Sequence, residues 1–479
     1  MSFTTRLLTT CQPEDSGSNV PDLTLFNQLN TQRYPYLLKS SAVRQNNTQY
    51  DILIACPQYE LTLNSDKSLH CTNKDLAVSA GFFETLENYY QQNKVEISDN
   101  SDNLPFTGGW FVYLSYEMAE EIEPCLSLPL LPASQPLAVA ARCPAAIIVD
   151  KQNNQCIAVA ESEYACLLDE IEQDFLTIKN TFDEPPSTKN TIELKSLIEA
   201  DSAPYLQQVE KIKQYIVDGD IFQANLSRQW QAVLKQDVAD TVLFDALSRH
   251  NPSSFAAMAC LQNMTIISSS PERLVCSRKG IVETRPIAGT RPRDEDRQSD
   301  DALAKELLSH PKEQAEHIML IDLERNDLGR VCRPGSIEVN ELMVLESWQH
   351  VHHIVSNVRG ELESNRSPVD VLRAVFPGGT ITGCPKVRCM EILAEMEQQA
   401  RGAYTGSLGY INNDGSMDFN ILIRTMVRTT EGENNNNEIT FRAGGGIVSD
   451  SVAVNELEET RAKAKGLLKI FRLDTVAQT

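Results

Sequence analysis

The chain has 479 residues, 41% hydrophobic and 23% charged, an ordinary globular composition with room for about two to four domains. A net charge of −23 and a pI near 4.8 argue against a surface built for nucleic acid or anionic membranes. No apolar run approaches the ~18 residues of a membrane span, and the N-terminus lacks a signal-peptide core. The 12 cysteines are scattered, with no C-x-x-C pair, as reduced thiols are. The expectation is a soluble cytoplasmic protein that binds neither nucleic acid nor membrane.

Residues 1–24 are polar and turn-rich and read as an irregular arm. Short apolar runs at 36–38, 50–55 and 109–114, separated by turn residues, predict antiparallel strands. Runs at 137–149 and 156–159 flank the turn Asp150–Asn154, a hairpin signal. Residues 163–182 read as a helix, and Pro185, Pro186 and Ser187 mark a linker over 183–198. The division is therefore an arm, an N-terminal region 25–182, the linker, and a second region 199–473. In that second region Tyr205, Val209, Ile212 and Ile216 stripe a helix over 202–218, which Gly219 ends. Strands are predicted at 254–260, 264–269, 274–277, 352–358, 405–411, 418–428 and 438–443. Helices are predicted at 301–309, from Pro311, and at 368–375, 385–399 and 455–471. Strands in runs with helices between them favour an α+β fold.

Four stretches carry candidate chemistry. Gly444, Gly445 and Gly446 read as a bare-backbone turn able to approach an anion. On the helix that follows, Glu456, Glu459 and Lys463 share a stripe, and Glu313 and Glu316 share another behind Pro311. Two Glu pairs converging on one point would repel, and a hard divalent cation such as Mg²⁺ relieves that. The segments Phe376–Lys386, a glycine turn opening a helix, and Thr284–Arg293, a basic proline-braced loop, read as substrate cradles. Each stretch alone also has an ordinary reading as a turn or a solvated face.

Together R-P-I-A-G-T-R-P-R, A-E-H-I-M-L-I-D-L-E-R-N-D-L-G-R, F-P-G-G-T-I-T-G-C-P-K-V-R-C-M-E-I-L and A-G-G-G-I-V-S-D-S resemble the chorismate-utilising enzymes. The resemblance covers about 200–472 strongly and reaches the N-terminal half through L-P-F-T-G-G-W-F-V-Y-L-S-Y-E. It implies an α+β fold of two large antiparallel β-sheets packed together with helices outside. It also implies Mg²⁺ on Glu316 and Glu459, with Glu313 and Glu456 nearby. The carboxylates of chorismate would be held by Gly289, Thr290, Thr380, Tyr410, Arg424, Lys463 and the Gly444–Gly446 backbone. Glu272 matches the family acid at the C4 hydroxyl and His353 the histidine near the ring.

Two positions sort the family by nucleophile. Water-using members carry lysine at Gln223, so glutamine there implies an ammonia user. Many aminodeoxychorismate synthases carry lysine at Ala288, whereas anthranilate synthases have alanine. The P-G-G-T-I-T-G, A-G-G-G-I-V, M-D-F-N-I-L-I-R-T and S-Y-E-M segments lean to the aminodeoxychorismate branch, which is the expectation. Anthranilate synthase component I is the alternative, and a non-catalytic chorismate sensor a second one. With no G-x-C-x-G elbow in the chain, ammonia is expected from a separate glutamine amidotransferase subunit.

Overall fold

The computed structural model describes residues 3–10, 21–40, 50–95, 104–181, 192–294, 296–347, 351–429 and 437–472. The expected α+β architecture is what it shows. Among the described residues one sheet has 13 strands and the other 11. All strand pairs among them are antiparallel except Ile192–Glu199 with Phe471–Arg472, which is parallel.

Both halves of the chain build both sheets. In the larger sheet Tyr36–Lys39 pairs with Phe255–Cys260, and in the smaller Gly109–Leu114 pairs with Ser407–Asn412. Tyr36, Phe111, Tyr113, Ile266, Leu408 and Leu422 pack between the sheets, and the Tyr36 and Phe111 rings stack with centroids 3.8 Å apart. Helices cover the outer faces. Leu168, Ile171, Leu243, Leu247 and Ala464 pack on the larger sheet, and Phe82, Leu86, Ile321, Leu328 and Leu372 on the smaller. No helix among the described residues is long and apolar enough to cross a membrane.

Several expectations need correction. Phe3–Thr10 is not irregular but a strand paired with Gln155–Glu161. The C-terminal part of the expected linker, from Ile192, is a strand too, and residues 183–191 lie outside the described residues. The run 137–149 is two strands, Ala138–Cys143 and Ala145–Asp150, broken at Pro144 and belonging to different sheets. The run 418–428 likewise splits into Met417–Ile421 and Thr425–Thr429. Such crossings from sheet to sheet are where the polar groups gather.

Candidate active site

Two neighbouring crossings hold the acid and an arginine. Met264–Ser270 lies in the larger sheet and Arg273–Arg278 in the smaller, with Pro271 and Glu272 making the passage. Proline cannot donate to a ladder, so the strand stops there. The second crossing runs through residues 422–424, with Arg424 at φ 52°, a left-handed conformation that breaks the strand. The crossings are tied together. The Ile421 amide donates to the Glu272 carbonyl at 3.0 Å, and the Ser269 amide to the Arg424 carbonyl at 3.1 Å.

Glu272 is 6% exposed. Its Oε1 and the Thr380 Oγ1 are both buried with no hydrogen-bond partner among the described residues. Burial pushes the Glu272 carboxyl up to about 7, against the opposing pull of the nearby Thr380 hydroxyl, Arg424, the Ile287 backbone and Lys463. Burial also disfavours the charge on Arg424, which Glu272 supports. Among the described residues the Arg424 guanidinium makes no ion pair, so its charge is available to an anion. His353 is held down at about 4 by burial, with Arg424 adding to the effect and a hydrogen bond to the Gly289 backbone opposing it. The imidazole is therefore neutral at pH 7.

Gly289 sits in the strand Ile287–Pro292 at φ 65°, where the register against Val351–Glu361 shifts between Ala288 and Thr290. The left-handed backbone favours glycine, and a Cβ there would also lie 2.8 Å from Glu313 Oε2 and 2.9 Å from Leu307 Cδ1. Ala288 is buried opposite Ile354, and Thr290 pairs with His353.

The three glycines are not a turn but part of one continuous strand, Glu438–Ile447, paired with Gln223–Leu234. Gly444 lies opposite Ser227, whose amide donates instead to Glu397 Oε1 at 2.8 Å. Gly446 lies opposite Asn225, whose amide donates to the Thr382 carbonyl at 2.9 Å. Both are therefore pairs without ladder bonds, and the peptide groups of Gly444 and Gly446 face away from the partner strand. On that side Thr425–Thr429 pairs only as far as Phe441, so the edge is open beside the glycines. Lys463 Nζ donates to the Gly444 carbonyl at 2.8 Å and pairs with Glu459 at 2.7 Å. A Cβ on Gly446 would lie 2.2 Å from Gln223 Nε2, so that amide rests on the glycine. Gln223 Oε1 is buried without a hydrogen-bond partner among the described residues. Asn225 Nδ2 donates to the Thr380 carbonyl at 2.9 Å, linking this strand to the turn beside Glu272.

The carboxylate pairs stand on two walls. Glu456 Oε2 and Glu459 Oε1 both come within 3.4 Å of where a Gly445 Cβ would be. Glu313 closes against Gly289 and pairs with Arg291 at 3.2 Å. Among the described residues no group of three or more His, Cys, Asp or Glu stands close enough to hold a metal. The expected meeting of four carboxylates is not seen among the described residues, where Glu313 is paired with Arg291 and Glu459 with Lys463. The Glu456–Glu459 pair still fits Mg²⁺, a cation that takes one or two carboxylates and fills its other positions with water and substrate oxygens.

Other assignments shift. Tyr410 does not join the group around Glu272. It is buried edge-on to Phe106, at 5.7 Å between centroids, and lines a separate cavity of about 380 Å³ between the sheets, with Arg278 and Asp418. The tyrosine at the glycine strand is Tyr404, whose hydroxyl would lie 2.8 Å from a Gly444 Cβ. The basic stretch 284–293 is no open cradle. Arg285 pairs with Glu341 and Glu346, Arg291 with Glu306 and Glu313, and Arg293 with Asp300.

Residues 34–469 match the chorismate binding enzyme family. The chain is 41% identical over 371 residues to an anthranilate synthase component I-like protein of Synechocystis, covering 77% of this chain and 73% of the relative. It is 39% identical over 422 residues to aminodeoxychorismate synthase component 1 of Bacillus subtilis, covering 86% and 85%. Anthranilate synthase component I from Streptococcus pneumoniae has a similar solved structure, with a TM-score of 0.75, 29% identity, and 89% and 93% coverage.

Proposed function

The chain belongs to the chorismate binding enzyme family, and from that premise we propose that it is a cytoplasmic transferase that aminates chorismate to 4-amino-4-deoxychorismate. Ammonia would come from a separate glutamine amidotransferase subunit, and the product would feed para-aminobenzoate and folate synthesis. The observation that supports loss of the C4 hydroxyl is the buried carboxyl of Glu272, whose Oε1 has no hydrogen-bond partner among the described residues, beside Arg424, which makes no ion pair among them.

Glu272, raised to about 7, keeps a proton in a useful fraction of molecules at neutral pH and gives it to the departing C4 hydroxyl, which leaves as water. Arg424 supplies positive charge to one substrate carboxylate. Lys463, the Tyr404 hydroxyl and the outward peptide groups of Gly444 and Gly446 serve the other. Neutral His353 and Thr380 fill the ring side. Glu456 and Glu459 would hold Mg²⁺, which when bound would supply positive charge against the substrate's carboxylate. Gln223 offers an amide where a basic lysine would favour water as nucleophile. With alanine at 288 no lysine adduct can form at C2 from that position, so ammonia enters without it.

That same alanine favours a second reading, direct amination at C2 and release of anthranilate and pyruvate. A coupled assay separates them. The purified chain is given chorismate, ammonium and Mg²⁺, followed by a lyase that acts on aminodeoxychorismate. Para-aminobenzoate supports the proposal; fluorescent anthranilate formed before any lyase is added refutes it.

A further inference from the structure

The S-Y-E-M segment in the N-terminal half enters none of the chemistry above, yet its glutamate is buried against the catalytic half. Glu117 is 4% exposed. Its Oε1 accepts the Arg401 amide at 2.7 Å, and its Oε2 accepts the Gly402 amide at 3.1 Å. The adjacent Tyr116 amide donates to the Gly402 carbonyl at 2.9 Å, and the Arg401 guanidinium lies 4.7 Å from the Tyr116 ring centroid. Two consecutive residues of one half thus grip the backbone of two consecutive residues of the other.

The gripped turn is built into the site from both sides. Arg401 Nε and Nη2 donate to Glu397 at 2.9 and 2.7 Å, and Nη2 also to the Asn225 carbonyl at 2.6 Å. Glu397 in turn accepts the Ser227 amide and hydroxyl, each at 2.8 Å, and Arg442 at 3.1 Å. Burial pushes Glu397 up, but Arg401 and Arg442 overcome it and hold its carboxylate below the usual range. Asn225 and Ser227 are the residues opposite Gly446 and Gly444. Three residues after Arg401 comes Tyr404, whose hydroxyl reaches Gly444.

We propose that Glu117 is a positioning residue of the chorismate site, acting from the N-terminal half by fixing the Arg401–Tyr404 turn against the glycine strand. Burial pushes the Glu117 carboxyl up to about 7 against the pull of those two amides; ionised, it offers two acceptor oxygens to two adjacent amides, which a neutral amide side chain cannot do, because its NH₂ would face one of those amides donor to donor. The inference rests on chorismate as substrate and not on which carbon receives nitrogen.

The test is a double-mutant cycle of Glu117→Gln and Tyr404→Phe in the full chain. It reads chorismate dissociation by quenching of tryptophan fluorescence, kcat and KM with ammonium, and Tm. Glu117→Gln is expected to weaken chorismate binding and raise KM about tenfold, with a smaller change in kcat. Tyr404→Phe is expected to weaken binding with little change in Tm. The double variant should be little worse than the weaker-binding single one, as residues acting through one element are. Additive losses, or an unchanged dissociation constant in Glu117→Gln, would overturn the proposal. Should that variant not fold, Glu117→Asp takes its place in the cycle, under the same two outcomes. Because binding is read apart from product identity, a wrong product would refute the proposed reaction and leave this result standing.

Discussion

Only the protonated form of Glu272 can help a hydroxyl leave, and burial has raised its carboxyl to about 7. The rate should therefore fall as pH rises above 7. Glu272→Gln should lose about 10²–10⁴-fold in kcat and lose that limb of the profile, read from kcat between pH 6 and 9. The linked effect on stability has the same direction. A folded-state value above the ordinary 4.5 contributes stability fully below pH 4.5, and that contribution disappears as pH rises through about 7. Gly446→Ala is a second test at this scale. Its Cβ would meet the mobile end of Gln223, at 2.2 Å, and not backbone, so the fold should survive with Tm lowered by only a few degrees. Chorismate KM should rise because the displaced amide crowds the strand's open side. An unchanged KM would remove Gly446 from the site.

At the scale of elements, the strand Glu438–Ile447 and the helix Ala453–Leu468 form one wall, joined by Lys463 to Gly444. Glu459→Gln should cut turnover sharply, and EDTA should abolish wild-type activity that excess Mg²⁺ restores. Turnover indifferent to both would discard the metal. The helix was legible in sequence, expected at 455–471 and found at Ala453–Leu468, with Leu457, Thr460, Ala464 and Leu467 as its buried residues. The glycine strand was misread as a turn because glycine leaves no side-chain alternation to count. What favours glycine at Gly444 is close packing from the Leu226 carbonyl and the Tyr404 hydroxyl, far away in the chain. Gln223–Leu234 escaped notice as a strand, although Trp230, Ala232 and Leu234 alternate as an inward face should. Tyr404 lies in the turn before the strand Ser407–Asn412 and Tyr410 within it, and only the packing of Phe106 and Gly444 tells which faces the site. The arginines of 284–293 looked available because their partners, Glu306, Glu313, Glu341, Glu346 and Asp300, are invisible to local reading.

Across the whole molecule, the sheets weld the halves together at two seams, and the acid and arginine sit where the chain passes between those sheets. The Glu397–Arg401–Arg442 cluster is the buried ionic joint behind the site, with Glu397 and Arg401 side chains 3% and 2% exposed. Glu397→Ala would leave two buried guanidinium groups without their carboxylate and should cost about 3–5 kcal/mol in denaturant unfolding. A loss under 1 kcal/mol would show that the joint carries little of the fold's stability. The purified chain should use ammonium and not glutamine. Equal rates with both would place a glutaminase in the chain itself and contradict the proposed division of labour.

The central claim is that nitrogen enters at C4 of chorismate. The most direct measurement is NMR of the first product formed from ¹⁵N-ammonium, chorismate and Mg²⁺ with the purified chain alone. The account predicts ¹⁵N coupled to the C4 position of a ring that still carries its enolpyruvyl ether. Label at C2, with pyruvate released, would contradict it.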